Sequence, residues 1–178
     1  MAELSTFKQV HHKVPCIAQR DQSRAGGQKW KPPTWPYLKV NFDAAFDKMK
    51  EMMGMRIVIR DCEGDLLASL LVSNECVNSV FLAESNALLR AMELCQDLAF
   101  TLVEFEGDAK AVVDVVKSNV DENSWLGQVI EDIKQMMNRF SSWKLSFAHR
   151  MSNKVAHEVA KLALRFDSER VWLEEGPL

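Results

Sequence analysis

The stretch Leu38–Phe46, "LKVNFDAAF", decides how this chain is read. Leu38, Val40 and Phe42 alternate with Lys39, Asn41 and Asp43, a period of two that belongs to a β-strand with one apolar and one polar face. An aspartate in the middle of such a strand is poorly suited to β-structure, so Asp43 needs a reason to be there. Immediately downstream, "MRIVIRD" and "DLLASLLVS" carry the same strand signature and are joined by the turn "DCEGD". Three consecutive strands of an antiparallel meander are predicted.

From Val80 the period becomes helical. Ala83, Ala87, Ala91, Leu94 and Leu98 recur at spacings of three and four over a run without Gly or Pro, and the small alanines predict a helix lying close against a sheet. "TLVEFEGD" reads as a fourth strand ending at Gly107, and "AKAVVDVVKS" as a short helix with Ala111, Val112, Val115 and Val116 inward. "SWLGQVIEDIKQMMNRF" is a further helix, with Asn123 and Ser124 placed to cap it, and "WKLSFAH" is a fifth strand. A last helix starts at Ser152 or Asn153 and carries the stripe Val155, Val159, Leu162, Ala163 and Phe166. The order βββαβααβα describes an α/β fold with a mixed sheet.

Upstream of the first strand the text changes character. "QRDQSRAGGQKWKPPTWP" is polar, then Pro-rich, so residues 1–30 are expected to be a flexible basic leader and residues 31–178 a single domain. Residues 1–36 hold six Lys/Arg against two acids, a net of +4, which leaves −7 on the remainder of a chain whose total is −3. A domain that gripped nucleic acid unaided would carry the opposite sign, so any such grip has to be local or supplied by metal ions or the leader. With 47% apolar residues and five Trp, one packed core is within reach. The apolar runs are far shorter than a membrane span and "MAELSTFKQVHHKV" lacks a secretory apolar core, which leads to the expectation of an intracellular protein with no membrane partner. Cys16, Cys62, Cys76 and Cys95 are too dispersed for a zinc knuckle or a disulfide scaffold and are expected to be reduced packing thiols.

Three acids suggest chemistry. Asp43 sits mid-strand, Glu84 is read in the first turn of the long helix at the margin of its buried face, and Asp108 follows Gly107 at a strand end, where site residues of α/β sheets collect. If the strands of Asp43 and Asp108 are neighbours, the three carboxylates converge, and their mutual repulsion would call for hard divalent cations such as Mg²⁺. Taken singly, each has a plainer role as a solvated or capping group, Glu84 and Asp108 both favouring a helix start by their charge.

"KVNFDAAF", "AESNAL", "EFEGDAKAVVDVV" and "FAHRMSNKVAHEVAKLA", in that order, resemble the ribonuclease H superfamily. The likeness is to the type 1 ribonuclease H-like domain common in plant proteins and related to retroelement reverse transcriptases; "WKPP" and "VWLEEGP" are similar to its borders. The resemblance implies a five-stranded mixed sheet of order 3-2-1-4-5 and endonucleolytic cleavage of RNA in RNA/DNA hybrids with two Mg²⁺ or Mn²⁺ ions. By the same resemblance Asp43, Glu84 and Asp108 are metal-binding carboxylates and His149 helps to place water or release product; on the residues alone His149 reads equally as a surface residue at a strand end. Arg150 could meet a phosphate, and Asn153 fits both a cap and the family motif.

The chain departs from that pattern at its fourth metal position, where type 1 ribonucleases H place an aspartate and this sequence has His157. A neutral imidazole removes one negative charge and suits Mn²⁺ better than Mg²⁺, so a weakened or Mn²⁺-favouring nuclease is expected. Apart from metal binding, His157 reads as a partly exposed residue beside the helix stripe. The linker "NVDENS" also lacks the basic, Trp-rich helix that serves some bacterial relatives as a hybrid-binding handle, so modest, salt-sensitive affinity is expected. Recognition would rest on minor-groove and 2′-OH contacts, with Asn41 and Ser85 near the site and the basic leader contributing. Trp125, Trp143 and Trp172 are expected to pack in the core or at its edge. The alternative to an enzyme is a catalytically inactive, domesticated domain that binds nucleic acid or a protein partner. A 3′–5′ exonuclease ranks lower because Asp43 is followed by Ala44 and Ala45 where a DxE pair would be expected.

Overall fold

The structure, a computed structural model, describes residues 30–75, 78–118, 125–148 and 169–174. The expected last helix, with His149, Arg150, Asn153 and His157, lies outside the described residues, as do the leader, Cys16, Cys76, Asn123 and Ser124.

Three strands open the domain: β1 Leu38–Asp47, β2 Met52–Arg60 and β3 Leu66–Glu75. The β2–β3 turn is held by the Asp61 carboxylate, which accepts from the amides of Glu63 and Asp65 at 2.9 Å each, while Gly64 supplies the positive φ of 91°. Helix α1, Val80–Asp97, begins at Ser79, whose hydroxyl accepts from the Leu82 amide. β4 Leu102–Gly107, α2 Lys110–Lys117, α3 Trp125–Met137, β5 Ser142–Phe147 and β6 Arg170–Leu173 follow.

The six strands form one sheet of order β5-β4-β1-β2-β3-β6. β1 runs antiparallel to β2 and parallel to β4, and β4 is parallel to β5. This contains the expected order 3-2-1-4-5. It also adds a strand that the sequence pattern did not reveal: β6 pairs antiparallel with Ala68–Leu71 of β3. Four residues at a sheet edge, with Val171 41% exposed, bury too little to show a period.

One face of the sheet packs against α1 and the core. Val40, Phe42, Ile57, Ile59, Leu70, Val103 and Phe105 are fully buried there, and Ala83, Ala87 and Ala91 meet them with no exposure at all, the close approach that the alanine spacing predicts. α3 closes the layer with Ile130, Ile133 and Met137, and Phe105 meets Phe140 edge-on at 5.5 Å. In α2 the inward face is rotated from the expected one: Val112, Val113 and Val116 are buried, whereas Ala111 is exposed and Val115 half-buried. Two Val-Val pairs flanking one Asp allow either phase, and the exposed Lys110–Asp114 ion pair marks the side that turns outward.

The opposite face of the sheet mixes buried Ala45, Val58 and Leu71 with the sheet's charged side chains. It carries Lys39, Asn41 and Asp43 on β1, Arg56 and Arg60 on β2, and Glu104 and Glu106 on β4. Trp30 covers one end: its indole N–H donates to Asn41 Oδ1 at 2.9 Å, and the Arg60 guanidinium lies 5.0 Å from its ring centroid. Cys62 and Cys95 are free thiols, and burial pushes Cys95 well above the usual thiol range, so it stays protonated as a packing group. Among the described residues no helix is long and apolar enough to cross a membrane.

Candidate metal centre

The parallel pairing of β1 with β4 runs from Leu38↔Val103 to Asn41↔Glu106 and then stops. One step further the Phe42 ring lies against Gly107, and Asp43 and Asp108 are the next residues of the two segments. β1 leads to β2 and β3 on one side, while β4 leads to β5 on the other, so the carboxyl ends of β1 and β4 flank the point where the strand order reverses. Clefts open at such points because the two connections leave in opposite directions.

Gly107 permits the close approach. A Cβ at this position would sit 2.4 Å from Cζ and 2.6 Å from Cε2 of Phe42, whose ring is fully buried. Glycine at residue 107 therefore lets the end of β4 lie against β1 and brings Asp108 beside Asp43 and Glu84. The Ala148 amide donates to the Gly107 carbonyl at 2.9 Å and ties the ends of β4 and β5 together there.

Glu84 reaches the same place from α1. With the helix capped at Ser79, Glu84 lies in the second turn and not the first, because the cap precedes Val80 and no acid occupies the first turn. Its expected role as a counter-charge to the helix start is weakened accordingly, since that effect fades within one turn. Asp43 is 1% exposed, Glu84 7%, and Asp108 half-buried. One carboxylate oxygen from each of the three lies within 4.8 Å of the others. Three carboxylates so close together repel one another strongly when ionised, and hard oxygen donors at this spacing suit Mg²⁺ or Mn²⁺. The donor set fits such a cation.

Asn41 and Ser85, expected near the site as contacts to a hybrid, are engaged differently. Asn41 is buried, with Oδ1 accepting from Trp30 and Nδ2 donating to Glu106 Oε1 at 3.0 Å, so its amide is committed inside the chain. Ser85 is fully buried, and its hydroxyl has no hydrogen-bond partner among the described residues. Trp143 lies on the edge strand β5 and is 38% exposed. Sequence reasoning missed Arg56, which stands directly across the sheet from Asp43; the length of the β1–β2 hairpin was the signal that could have found it.

A mixed sheet in this order, with carboxylates gathered where β1 and β4 part, defines the class: a ribonuclease H-like domain. The chain belongs to the family described as reverse transcriptase-like, which matches residues 41–163, well over half of the 178. No curated protein matches it in sequence. Solved structures with a similar fold include the ribonuclease H1 of the halophilic archaeon Halobacterium salinarum, with a TM-score of 0.66 at 22% identity over 72% of this chain and 98% of that one. LC11 ribonuclease H1, isolated from compost by metagenomics, gives 0.64 at 23% identity over 72% of this chain and 96% of its own. The same enzyme solved in complex with an RNA/DNA hybrid gives 0.60 at 23% identity over 71% of this chain and 99% of its own.

Proposed function

We propose that this protein hydrolyses the RNA strand of RNA/DNA hybrids endonucleolytically, using divalent cations held by Asp43, Glu84 and Asp108. The reading is carried by the convergence of three carboxylates from β1, α1 and the end of β4 to within 4.8 Å beside an open strand end. It is supported by the likeness in fold to a ribonuclease H1 solved with a hybrid bound. His157 is proposed as the fourth donor and His149 as an aid to water placement or product release, both from the sequence motif that holds them. Bound Mg²⁺ or Mn²⁺ would supply the positive charge that acidifies water and stabilises the attacking and leaving oxygens of an in-line phosphodiester displacement.

The chain's own contribution is placement. Asp43 and Glu84 are held by a central strand and a helix packed flush against the core, so their carboxylates keep position without reorganising. Gly107 sets the approach of Asp108, and burial of the two inner acids excludes water from the side away from the substrate. Hybrid affinity is proposed to be modest, since residues 37–178 carry −7.

That negative charge also favours a second reading, a domain that keeps the fold and binds a nucleic acid or protein partner without cleaving. Cleavage of a labelled hybrid by the purified chain with Mg²⁺ or Mn²⁺, compared with Asp43→Asn, separates the two. The nuclease reading expects loss of at least about a hundredfold in rate on removing one carboxylate charge from the centre. Residual cleavage equal in the two proteins, or none in either at any metal concentration, sinks it.

A further inference from the structure

Arg56 stands on β2 directly opposite Asp43 on β1, and the two side chains share the charged face of the sheet. Directly opposed residues on neighbouring antiparallel strands have Cβ atoms about 4.5–5.5 Å apart, so the guanidinium lies within the field of the carboxylate without rearrangement. The surroundings are not comfortable for a cation. Arg56 is half-buried, Arg60 brings a like charge two steps along the same face, and a guanidinium stays charged throughout the ordinary pH range. A fixed positive charge therefore stands beside one of three carboxylates that sit within 4.8 Å of one another.

Among the other described cations of this face, Lys39, Arg60 and Lys144 are accounted for by their neighbours, Lys144 donating to Glu104 Oε1 at 2.6 Å, and Arg170 lies beyond Leu71 on β6. Lys39 donates to the Lys31 carbonyl at 2.8 Å and pairs with Glu106 at 3.3 Å, and Arg60 lies over the Trp30 ring. Arg56 is set apart from that network by its position level with Asp43, toward the open end of β1.

We infer that Arg56 is an internal counter-charge of the metal centre, whose field offsets part of the charge of Asp43 in the metal-free protein and lowers the affinity of the centre for a divalent cation. The inference rests on the proposed metal-centre reading and deepens it. A divalent ion entering the centre meets the guanidinium's repulsion, so the centre fills only at higher ion concentration. The arginine thereby also relieves the carboxylate repulsion that would otherwise strain the empty fold.

Titration calorimetry of the full chain with Mn²⁺ alone tests this on wild type, Arg56→Gln, Arg56→Met, Arg56→Lys and Asp43→Asn, with far-UV circular dichroism to check folding. Removing the charge in Arg56→Gln or Arg56→Met is expected to tighten Mn²⁺ binding roughly tenfold, equivalent to about 1.4 kcal/mol. Arg56→Lys keeps the charge and is expected to stay within about threefold of wild type, although it loses the planar donor fork. With the metal chelated, the two neutral variants should melt below wild type, and saturating Mn²⁺ should close that gap. If wild type binds Mn²⁺ and Asp43→Asn does not, while both neutral variants bind no more tightly than wild type, the role of Arg56 is overturned and the metal centre stands. If wild type binds no Mn²⁺ at millimolar concentration, both readings fall.

Discussion

Replacing Gly107 by alanine tests how closely β1 and β4 are pressed together at the site. The added Cβ would meet three atoms of the Phe42 ring, at 2.4, 2.6 and 2.9 Å, where ordinary contact begins near 3.4 Å. Relief therefore requires about 1 Å of movement, and the ring has no free side to move into, being fully buried between β1 and the core. Forcing a methyl into such a position costs about 1–3 kcal/mol. For a domain of this size each kcal/mol lowers the melting temperature by roughly 2–4 °C, so a fall of about 4–8 °C is expected at the middle of that range. The strand end is the more compliant partner, so the displacement passes to Asp108, and a shift near 1 Å in a catalytic group can cost about a hundredfold in rate. Three measurements check this: urea denaturation, Mn²⁺ affinity and hybrid cleavage, each on Gly107→Ala, Phe42→Leu and the double variant. The smaller ring-free side chain should accommodate the methyl, giving a favourable coupling of at least about 1 kcal/mol in the cycle. Additive losses, or a Gly107→Ala protein with wild-type stability and metal affinity, would refute the reasoning.

Two other predictions concern the scaffold. Ala87→Leu, in the contact between α1 and the sheet, should destabilise the protein by about 1–3 kcal/mol in urea denaturation, because Ala87 is fully buried in the core and larger side chains overpack such positions. Arg90→Met should lower stability by about 1 kcal/mol and speed amide exchange in β6, since Arg90 on α1 holds both oxygens of Glu169, at 2.9 and 2.6 Å, just before that strand. Glu169 raises the Arg90 pKa above its ordinary value, first through their hydrogen bond, so on the basic side the contribution of the charged arginine is fully present below that ordinary value and is lost only in strongly basic solution.

What the sequence reveals follows from which interactions are periodic. β1 is legible because its alternation reports two faces in different environments, and α1 because Ala83, Ala87 and Ala91 recur with the helical turn and Leu94 and Leu98 continue the stripe. Asp43 stands out as an acid in mid-strand, Glu84 by its place at the margin of a buried helix face and Asp108 by its place at a strand end, although only the folded chain brings the three distant segments together. The inward face of α2 was misread because its valine pairs leave the phase open, and β6 escaped notice because an edge strand of four residues has little to bury. The engagement of Asn41 by Trp30 was hidden because a tryptophan in a polar, Pro-rich stretch gives no sign of folding back on β1. Arg56 faces Asp43 only because the hairpin reverses between Asp47 and Met52 with Glu51 at a positive φ of 50°; a turn one residue longer would have changed the register.

The short sixth strand has a meaning for solubility. β3 is an apolar strand of ten residues, and without a neighbour on its outer side its backbone groups would offer a template for pairing with another chain. β6 occupies that side along Ala68–Leu71, fastened through Glu169 to a helix on the far side of the core layer. The last described segment thus acts as a guard rail, so a fragment ending before residue 169 would uncover that edge and be prone to aggregate.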